Sequence, residues 1–274
     1  MIIKTLVEDT TNKEDLKSEH GLSLYIETSG KRMLFDSGAS GLFMENAIKM
    51  DINISDIDYA VISHGHNDHG GGLERFLEAN SKAEVFIHSN AFNKHYSLRN
   101  GKMEFIGLDE KLKNNKRLIY VKGRFFIWKN IEVISDVKVK MPLPVTNGNL
   151  YVENNGDIVL DDFSHELNLS ISEENRYFLF TGCSHNGIVN IMEHYKELKG
   201  CMPQFVIGGF HLANRNYTPT EDDAYIKELL KYMSVSQSFF YTCHCTGQDA
   251  FGILSKVLKD KISYLNTGKE INIS

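Results

Sequence analysis

The feature of this sequence that most constrains its fold is a histidine-rich loop at residues 63–72, Ser-His-Gly-His-Asn-Asp-His-Gly-Gly-Gly. A short apolar run at 58–63, typical of a buried β-strand, leads into the loop, and a helix-like segment at 70–79 follows it. Three imidazoles and a carboxylate within six residues are ligand types of zinc, and they also serve iron and manganese. A polar loop whose histidines only cap the following helix would explain any one of these four residues. It would not explain all four together. The stretch therefore predicts a metal site with four ligands, His64, His66, Asp68 and His69.

The composition is typical of a soluble globular protein. The chain has 274 residues, of which 42% are hydrophobic and only 4 are proline, so it can bury a sizeable core. Its formal net charge of −6 argues against binding nucleic acid through a general basic surface. The apolar runs are too short to span a bilayer, and the amino terminus lacks a basic start and an apolar signal core. We therefore expect a cytoplasmic protein that binds neither membrane nor nucleic acid.

Strand-like and helix-like segments alternate along most of the chain. The first third predicts strands at 2–7, 22–28, 32–35 and 83–88 and a helix at 41–50. The last third predicts strands at 177–181, 205–208, 238–242 and 262–265, with helices at 187–198, 220–233 and 248–258. Between them, about 90–168, turn signals such as Asn147-Gly148 separate hairpin-like runs at 125–134 and 150–160. No polar linker brackets this part, so we interpret it as an insertion in a single domain spanning 1–274. The alternation predicts an α/β or α+β fold with layered sheets.

The motif His64-x-His66-x-Asp68-His69 resembles the signature of the metallo-β-lactamase superfamily. The resemblance implies a four-layer αβ/βα sandwich with a metal site at one edge of its paired sheets. Asp36, in the Asp-Ser-Gly turn at 36–38, matches an early Asp-x-Gly turn of the superfamily, whose acid supports the metal loop from behind the ligands. Taken alone, Asp36 would be an ordinary turn acid.

The resemblance also implies one or two divalent metal ions, zinc above all, with manganese or iron as alternatives. Further ligands are expected from strand ends in the second half, where His185 and His244 each follow a strand and precede a helix. The implied assignment gives one ion His64, His66 and His185. The other ion takes Asp68, His69 and His244. His211, in Gly-Gly-Phe-His-Leu, competes with His244 for the last position.

Cys183 marks a departure from the superfamily pattern. The superfamily often has Thr-Gly-Asp, with a bridging aspartate, where this chain has Thr-Gly-Cys at 181–183. Cys183 could bridge as a thiolate, support the site from behind, or be a buried small residue. The other cysteines are Cys201, Cys243 and Cys245, and a core of this size needs no disulfides, so we expect reduced thiols.

The segments Thr-Gly-Cys-Ser-His, Gly-Gly-Phe-His-Leu and Cys-His-Cys-Thr-Gly are narrower than the superfamily signature. Together with His20-Gly21-Leu22-Ser23 they resemble the branch that contains the dihydropterin-linked ribofuranosyl-aminobenzene phosphate synthases of methanopterin biosynthesis. Its synthases join a pterin-methyl diphosphate to an aryl ribose phosphate and release pyrophosphate.

A basic cluster in the middle of the chain, Lys94, His95, Arg99 and Lys102, is a candidate grip for a substrate phosphate, with a solvated surface as the alternative. His165 lies in an acidic turn at 161–166 and is expected to be solvated.

These features favour a metal-dependent hydrolase of a small ester, above all a phosphoester, that uses metal-bound hydroxide. Asp68 would orient the hydroxide as well as ligate, and His211 would donate a proton or hydrogen bond to the leaving group or oxyanion. The first alternative is the pterin-type transferase, and the second is a catalytically weak metal-binding module, which the absent bridging aspartate keeps open. The expected partner is a small, phosphorylated substrate. The oligomeric state is not predicted.

Overall fold

The computed structural model describes residues 1–214, 217–220 and 222–273. Its contacts divide the chain into two compact units, each assembled from separate segments. Unit 1 comprises Met1–Lys122, Asn149–Leu167 and Leu265–Ser274, and unit 2 comprises Gly123–Gly148 and Asn168–Tyr264. The predicted insertion at 90–168 is divided between the units, since residues 90–122 and 149–167 belong to unit 1 and residues 123–148 belong to unit 2.

The strands are, in chain order, β1 (Ile2–Val7), β2 (Ser23–Thr28), β3 (Lys31–Phe35), β4 (Tyr59–Ile62), β5 (Glu84–His88), β6 (His95–Arg99), β7 (Lys102–Phe105), β8 (Leu118–Val121), β9 (Arg124–Trp128), β10 (Ile131–Ile134), β11 (Leu150–Asn154), β12 (Asp157–Leu160), β13 (Asn168–Glu173), β14 (Arg176–Phe180), β15 (Phe205–Gly208), β16 (Phe239–Thr242), β17 (Ile262–Tyr264) and β18 (Glu270–Asn272). The α-helices are α1 (Leu42–Lys49), α2 (Asn67–Gly70), α3 (Leu73–Ala79), α4 (Ile188–Lys199), α5 (Ala224–Val235) and α6 (Gln248–Leu258).

Unit 1 contains a seven-stranded sheet in the order β18-β1-β2-β3-β4-β5-β8 and a four-stranded sheet in the order β12-β11-β6-β7. Strands β3, β4, β5 and β8 are parallel, and the pairs β18–β1, β1–β2 and β2–β3 are antiparallel. Helices α1 and α3 bury Phe43, Ala47, Leu73 and Phe76 in the apolar core of this unit.

Unit 2 contains a seven-stranded sheet in the order β17-β16-β15-β14-β13-β10-β9. Strands β14 to β17 are parallel, and the remaining pairs are antiparallel. Helices α4, α5 and α6 each contribute apolar residues spaced three or four apart, such as Ile188, Ile191, Met192 and Tyr195 of α4, to one buried cluster.

Most sequence-predicted elements appear within one or two residues of their expected ends, and both predicted hairpins form, β9–β10 and β11–β12. The predicted helix at 70–79 is wrong in one respect, because the chain forms two short helices, α2 and α3, around Gly71 and Gly72. A Cβ at Gly72 would lie 2.2 Å from the carbonyl oxygen of Ser37, so the chain packs too closely there for a side chain. The helix predicted at 220–233 begins later, at Ala224 with Asp223 as its cap; its predicted start includes Glu221, which lies outside the described residues.

Candidate metal centre

In unit 1, ligand-type residues follow two neighbouring parallel strands. Asp36 comes directly after β3, and the loop at 63–72 comes directly after β4. The strands run parallel, with Leu34 opposite Ala60. Since the carboxyl ends of adjacent parallel strands meet at one edge of a sheet, Asp36 and the loop lie together.

Asp36 is the centre of the hydrogen bonds at this edge. Its Oδ1 accepts the amide N–H of Ser63 at 2.6 Å, and its Oδ2 accepts the Ser63 hydroxyl at 2.7 Å and faces Nδ1 of His69 at 2.6 Å. The carboxylate is buried, and Asp36 has a φ of +60°, which a non-glycine residue adopts only where its surroundings enforce it. The structure therefore places this acid directly against the loop at 63–72, hydrogen-bonded to Ser63 and next to His69.

These hydrogen bonds assign the tautomers of two histidines. Because a carboxylate only accepts, His69 donates from Nδ1 and keeps the lone pair of Nε2 for a ligand bond. The Ser63 hydroxyl donates its proton to Asp36, so it accepts from Nδ1 of His64, 2.9 Å away, and Nε2 of His64 is likewise left for a ligand. Histidines that ligate metals are commonly oriented by a partner on their other ring nitrogen.

His64 and His66 present nitrogens to one point. His64 Nε2 lies 3.1 Å from His66 Nδ1, close to the roughly 3.3 Å that separates two nitrogens on a tetrahedral zinc ion with bonds of about 2.0–2.1 Å. Burial lowers the pKa of both imidazoles well below the usual range, and neighbouring histidines lower it further. Both rings are therefore neutral, which is the form that binds a metal. The donor set of unit 1 fits a divalent transition metal.

Asp68 lies at the more open side of the loop, with its side chain 17% exposed. Its Oδ2 is 3.8 Å from His69 Nε2 and 3.5 Å from His20 Nε2, and His20 Nδ1 faces Asp9 at 2.9 Å. The backbone at residue 21 lies so close to that of Asp68 that a glycine is required, since a Cβ at Gly21 would lie 2.4 Å from the carbonyl oxygen of Asp68. Asp68 and His69 thus offer an oxygen and a nitrogen side by side, as the assignment to one ion requires.

A second buried cluster, which sequence reasoning missed, lies beside this loop in unit 1. Asp161 Oδ2 is 2.9 Å from His95 Nδ1 and 3.2 Å from His165 Nε2, and the amide of Gly65 donates to His165 Nδ1 at 2.9 Å. The expectation that His165 is solvated is wrong, because it is buried between the metal loop and Asp161. The sequence offered one signal for this cluster: Asp161 lies four residues before His165, in the segment that precedes a strand.

The buried histidines of unit 1 predict that the metal-free protein loses stability in mild acid. Burial, above all, lowers the folded-state pKa of His64, His66 and His95 below the value of about 6.5 for unfolded histidine. The folded state then binds fewer protons, so this contribution to stability is present above pH ~6.5 and is lost as the pH falls below it. We expect the urea midpoint of chelator-treated protein to be lower at pH 5.5 than at pH 7.5. An equal or higher midpoint at pH 5.5 would contradict the burial of neutral histidines.

In unit 2, His185 follows β14 through the segment 181–185 and is held by one asparagine. The amide of Asn147 donates to the His185 carbonyl at 2.8 Å, so its Oδ1 accepts from His185 Nδ1 at 3.0 Å. This pair fixes the Nδ1–H tautomer, which leaves Nε2 as the ligand atom. His185 is buried and, like His64 and His69, has a hydrogen-bond partner at Nδ1.

His211 lies after β15, next to two thiols of unit 2. Its ring meets that of His185 edge-on at 4.2 Å, its amide donates to Cys245 Sγ at 3.3 Å, and its ligand nitrogen lies within 4.8 Å of the sulfurs of Cys183 and Cys245. Burial raises the pKa of the Cys245 thiol, but Cys183 and His211 outweigh this and hold it well below its usual range. Within the described residues, neither ring nitrogen of His211 has a hydrogen-bond partner and no cysteine forms a disulfide.

His244 follows β16, the third consecutive parallel strand whose end carries such a residue. It opens a single 3-10 turn, His244–Thr246, and it is buried. Ser184, His211 and His244 all have a positive φ, of +58°, +50° and +51°. Three non-glycine residues in this conformation thus lie at the ends of adjacent strands, and such strain persists where the surroundings enforce it.

The structure does not assemble the predicted phosphate grip as one basic face. His95 is buried on Asp161, Lys94 pairs with Glu153 at 3.3 Å, and Arg99 pairs with Glu104 at 3.1 Å. Lys102 lies exposed at the start of β7. A role in phosphate binding therefore stays a prediction for Lys94, Arg99 and Lys102, and His95 belongs to the buried cluster.

Comparison with known proteins identifies the superfamily to which the chain belongs. The family model of the metallo-beta-lactamase superfamily matches residues 18–161, more than half of the chain. The chain belongs to this superfamily, and the mixed α/β fold class predicted from its motifs is confirmed.

Relatives that align over nearly the full length come from the predicted branch. Two proteins of Methanocaldococcus jannaschii are each 29% identical to this chain. The uncharacterized protein MJ0448 aligns over 99% of this chain and 100% of its own length. The second, 7,8-dihydropterin-6-methyl-4-(beta-D-ribofuranosyl)-aminobenzene-5'-phosphate synthase, aligns over 98% of this chain and 95% of its own length. The crystal structure of Tm1679, described as a metal-dependent hydrolase of the β-lactamase superfamily, is 30% identical, with a TM-score of 0.84 over 100% of this chain and 99% of its own. The resemblance inferred from the three short motifs is thereby confirmed.

None of the helices in the described parts of the chain is long and apolar enough to cross a membrane.

Proposed function

We propose that this protein is a metal-dependent hydrolase of a small phosphoester. The observation that carries the proposal is the preparation of the ligands in unit 1. Asp36, directly or through Ser63, fixes the Nδ1–H tautomers of His69 and His64, and His64 Nε2 and His66 Nδ1 lie 3.1 Å apart. Such outer-sphere support is typical of metal sites in enzymes. The relative Tm1679, described as a metal-dependent hydrolase, supports the same reaction type.

The proposed ligands are His64, His66 and His185 for one ion and Asp68, His69 and His244 for a second. Each of these residues follows a parallel strand of its own unit. For His64, His69 and His185, a hydrogen bond at Nδ1 also assigns the tautomer. Zinc is the proposed metal, because imidazole and carboxylate suit it in a buried site, with manganese and iron as alternatives. When bound, the metal supplies Lewis acidity and lowers the pKa of coordinated water from about 15.7 to about 7.

Asp68 and His211 are the proposed catalytic residues. Asp68 is the most exposed of the four loop ligands, so its carboxylate can also accept a hydrogen bond from the nucleophile and orient it. His211, with no hydrogen-bond partner on its ring in the described residues, can donate a proton to the leaving oxygen. We assign Cys183 a packing role in unit 2, since it is buried and its carbonyl oxygen lies 3.7 Å from Cys245 Sγ.

The relative named as a pterin-linked phosphate synthase favours a second candidate, a transferase that releases pyrophosphate. The reactions are distinguished by incubating zinc-loaded protein with a panel of small phosphoesters and, separately, with a pterin-methyl diphosphate with and without an aryl ribose phosphate acceptor. Phosphate release without an acceptor supports the hydrolase. Pyrophosphate that appears only when both substrates are present supports the transferase. A metal-loaded protein that turns over neither set would instead be the catalytically weak metal-binding module.

We predict that His244 is a metal ligand and that His211 is not. His244→Ala should lower metal content, because a ligand is lost, whereas His211→Ala should keep the metal and lower turnover by about 10²–10⁴-fold, the usual contribution of a general acid. Elemental analysis and steady-state kinetics on both variants check this. The opposite pattern, with metal lost only from His211→Ala, would show that the two roles are exchanged.

We also propose that both units act as a single domain over 1–274 in the cytoplasm. The chain passes between the units at four points, after residues 122, 148, 167 and 264, so no single cut in the chain separates them.

A further inference from the structure

A buried histidine outside the predicted ligand set, His95, faces the proposed ligand His66. The two rings meet edge-on, with centroids 5.4 Å apart and an interplanar angle of 76°. His95 Nδ1 lies 2.9 Å from Asp161 Oδ2, and its Nε2 is buried with no hydrogen-bond partner in the described part of the chain. Neither the reaction nor the ligand assignment proposed above uses this nitrogen.

The tautomer of His95 follows from its carboxylate partner. Although burial alone raises the pKa of Asp161, His165 and His95 hold it below its usual range, so Asp161 is ionised and only accepts. His95 therefore donates from Nδ1, and its Nε2 carries a lone pair. That nitrogen lies against the metal loop: a Cβ at Gly65 would come within 2.6 Å of it. His95 Nε2 is thus a hydrogen-bond acceptor without a donor in the described residues, and it faces the backbone of Gly65, between His64 and His66.

The cluster does not fit a metal site of its own. The ligand atoms of its four members, His66, His95, Asp161 and His165, lie within 4.8 Å of one another. Asp161, however, already accepts from His95 and His165 through Oδ2 and from the amide of Phe163 at 2.8 Å through Oδ1. His165 is saturated too, because its Nδ1 accepts from Gly65 and its Nε2 donates to Asp161. Outside His66, His95 Nε2 is the one imidazole nitrogen of the cluster that keeps a lone pair, and the Asp161 oxygen that faces the histidines already accepts two hydrogen bonds, so the cluster offers too few ligand atoms for zinc.

We propose that His95 is a positioning residue for His66. Its Nε2 accepts, through one bridging water molecule, the proton on Nε2 of His66, and Asp161 fixes the ring of His95 from the other side. This hydrogen bond holds His66 in the tautomer that turns Nδ1 toward His64 Nε2, where the two nitrogens are 3.1 Å apart. The inference rests on the proposed role of His66 as a ligand through Nδ1, and it extends the support of the metal loop from Asp36 to a second, independent carboxylate.

Two substitutions separate hydrogen bonding from packing. His95→Phe keeps a ring of similar size and removes the acceptor, whereas His95→Gln loses the ring but carries an amide oxygen that reaches about as far as Nε2. Zinc affinity, measured by competition with a chromophoric chelator, should fall about 10- to 100-fold in His95→Phe, the usual effect of losing an outer-sphere partner, and should be largely retained in His95→Gln. A packing role predicts the reverse order, and that result would overturn the proposal.

A spectroscopic reading tests the tautomer itself. In zinc-loaded protein labelled with ¹⁵N-histidine, His66, assigned with the His66→Ala variant, should carry its proton on Nε2, and this signal should shift in His95→Phe. His194→Phe, a half-buried helical histidine of unit 2, is the matched control and should change neither the affinity nor the His66 signal.

If His95→Phe does not fold, Asp161→Asn carries the same test. The asparagine can donate to His95 Nδ1, which moves the proton of His95 to Nε2 and directs a donor instead of an acceptor at His66. We expect the same loss of zinc affinity. Unchanged affinity in either folded variant, with wild-type protein that binds zinc, overturns the inference alone, whereas wild-type protein that binds no zinc overturns the proposed function.

Discussion

Replacing His64 and His66 together with Ala is expected to remove bound metal and to lower turnover by at least about 10³-fold. The metal acts as a Lewis acid worth several kcal/mol in the transition state, and each 1.36 kcal/mol is a factor of about ten in rate. His64 Nε2 and His66 Nδ1 lie 3.1 Å apart, so the double substitution removes both nitrogens of one proposed pair of metal ligands. Elemental analysis of purified protein and assays under saturating zinc check both effects.

The same experiment needs a test of folding and a matched control. His64 and His66 are buried, so the variant should lose some stability while its far-ultraviolet circular dichroism stays close to that of wild type. His194→Ala, a histidine on α4, should keep both the metal and the activity. Unchanged metal stoichiometry in the double variant would mean that the loop at 63–72 is not the metal site.

Replacing Asp36 with Ala is expected to weaken zinc binding about 10- to 100-fold and also to destabilise the fold. The substitution leaves three buried donors without their acceptor, namely the amide and the hydroxyl of Ser63 and Nδ1 of His69. Each buried, unsatisfied donor costs about 1–3 kcal/mol, and loss of an outer-sphere carboxylate usually costs the stated factor in metal affinity. Urea unfolding of the metal-free protein and chelator competition measure the two effects separately.

Asp36→Asn sharpens the interpretation. The asparagine oxygen can still accept from the Ser63 amide, but its NH₂ group faces the Nδ1–H of His69, donor against donor, so metal affinity should fall although the shape is kept. Asp56→Asn is the control, because its carboxylate pairs with Arg32 at the surface, a contact worth about 0–1 kcal/mol. Zinc affinity of Asp36→Asn equal to that of wild type would remove Asp36 from the support of the site.

Much of the fold was predictable because its signals are local. Strands β1 and β15 and helix α6 have the predicted bounds, since apolar periodicity and turn residues act within a few positions of the chain. The errors arose where tertiary contacts decided. Gly71 and Gly72 divide the helix predicted at 70–79 because other segments approach their backbone closely, at Ala39 and Ser37.

For the proposed site, the sequence by itself determined which residues of one contiguous loop carry ligand-type side chains, because spacing, glycine content and side-chain chemistry are local properties. It also pointed to Asp36, through a turn that the superfamily shares. Only the tertiary structure decided what stands behind the ligands: Asn147 behind His185, and Asp161 and His165 beside His66. Asp161 is 66 residues from His95, and His165 is 100 residues from Gly65, so their pairing depends on how sheets and loops fold back on one another. A solvated turn and a buried hydrogen-bonded cluster can have the same local sequence, and burial, which only the fold determines, distinguishes them.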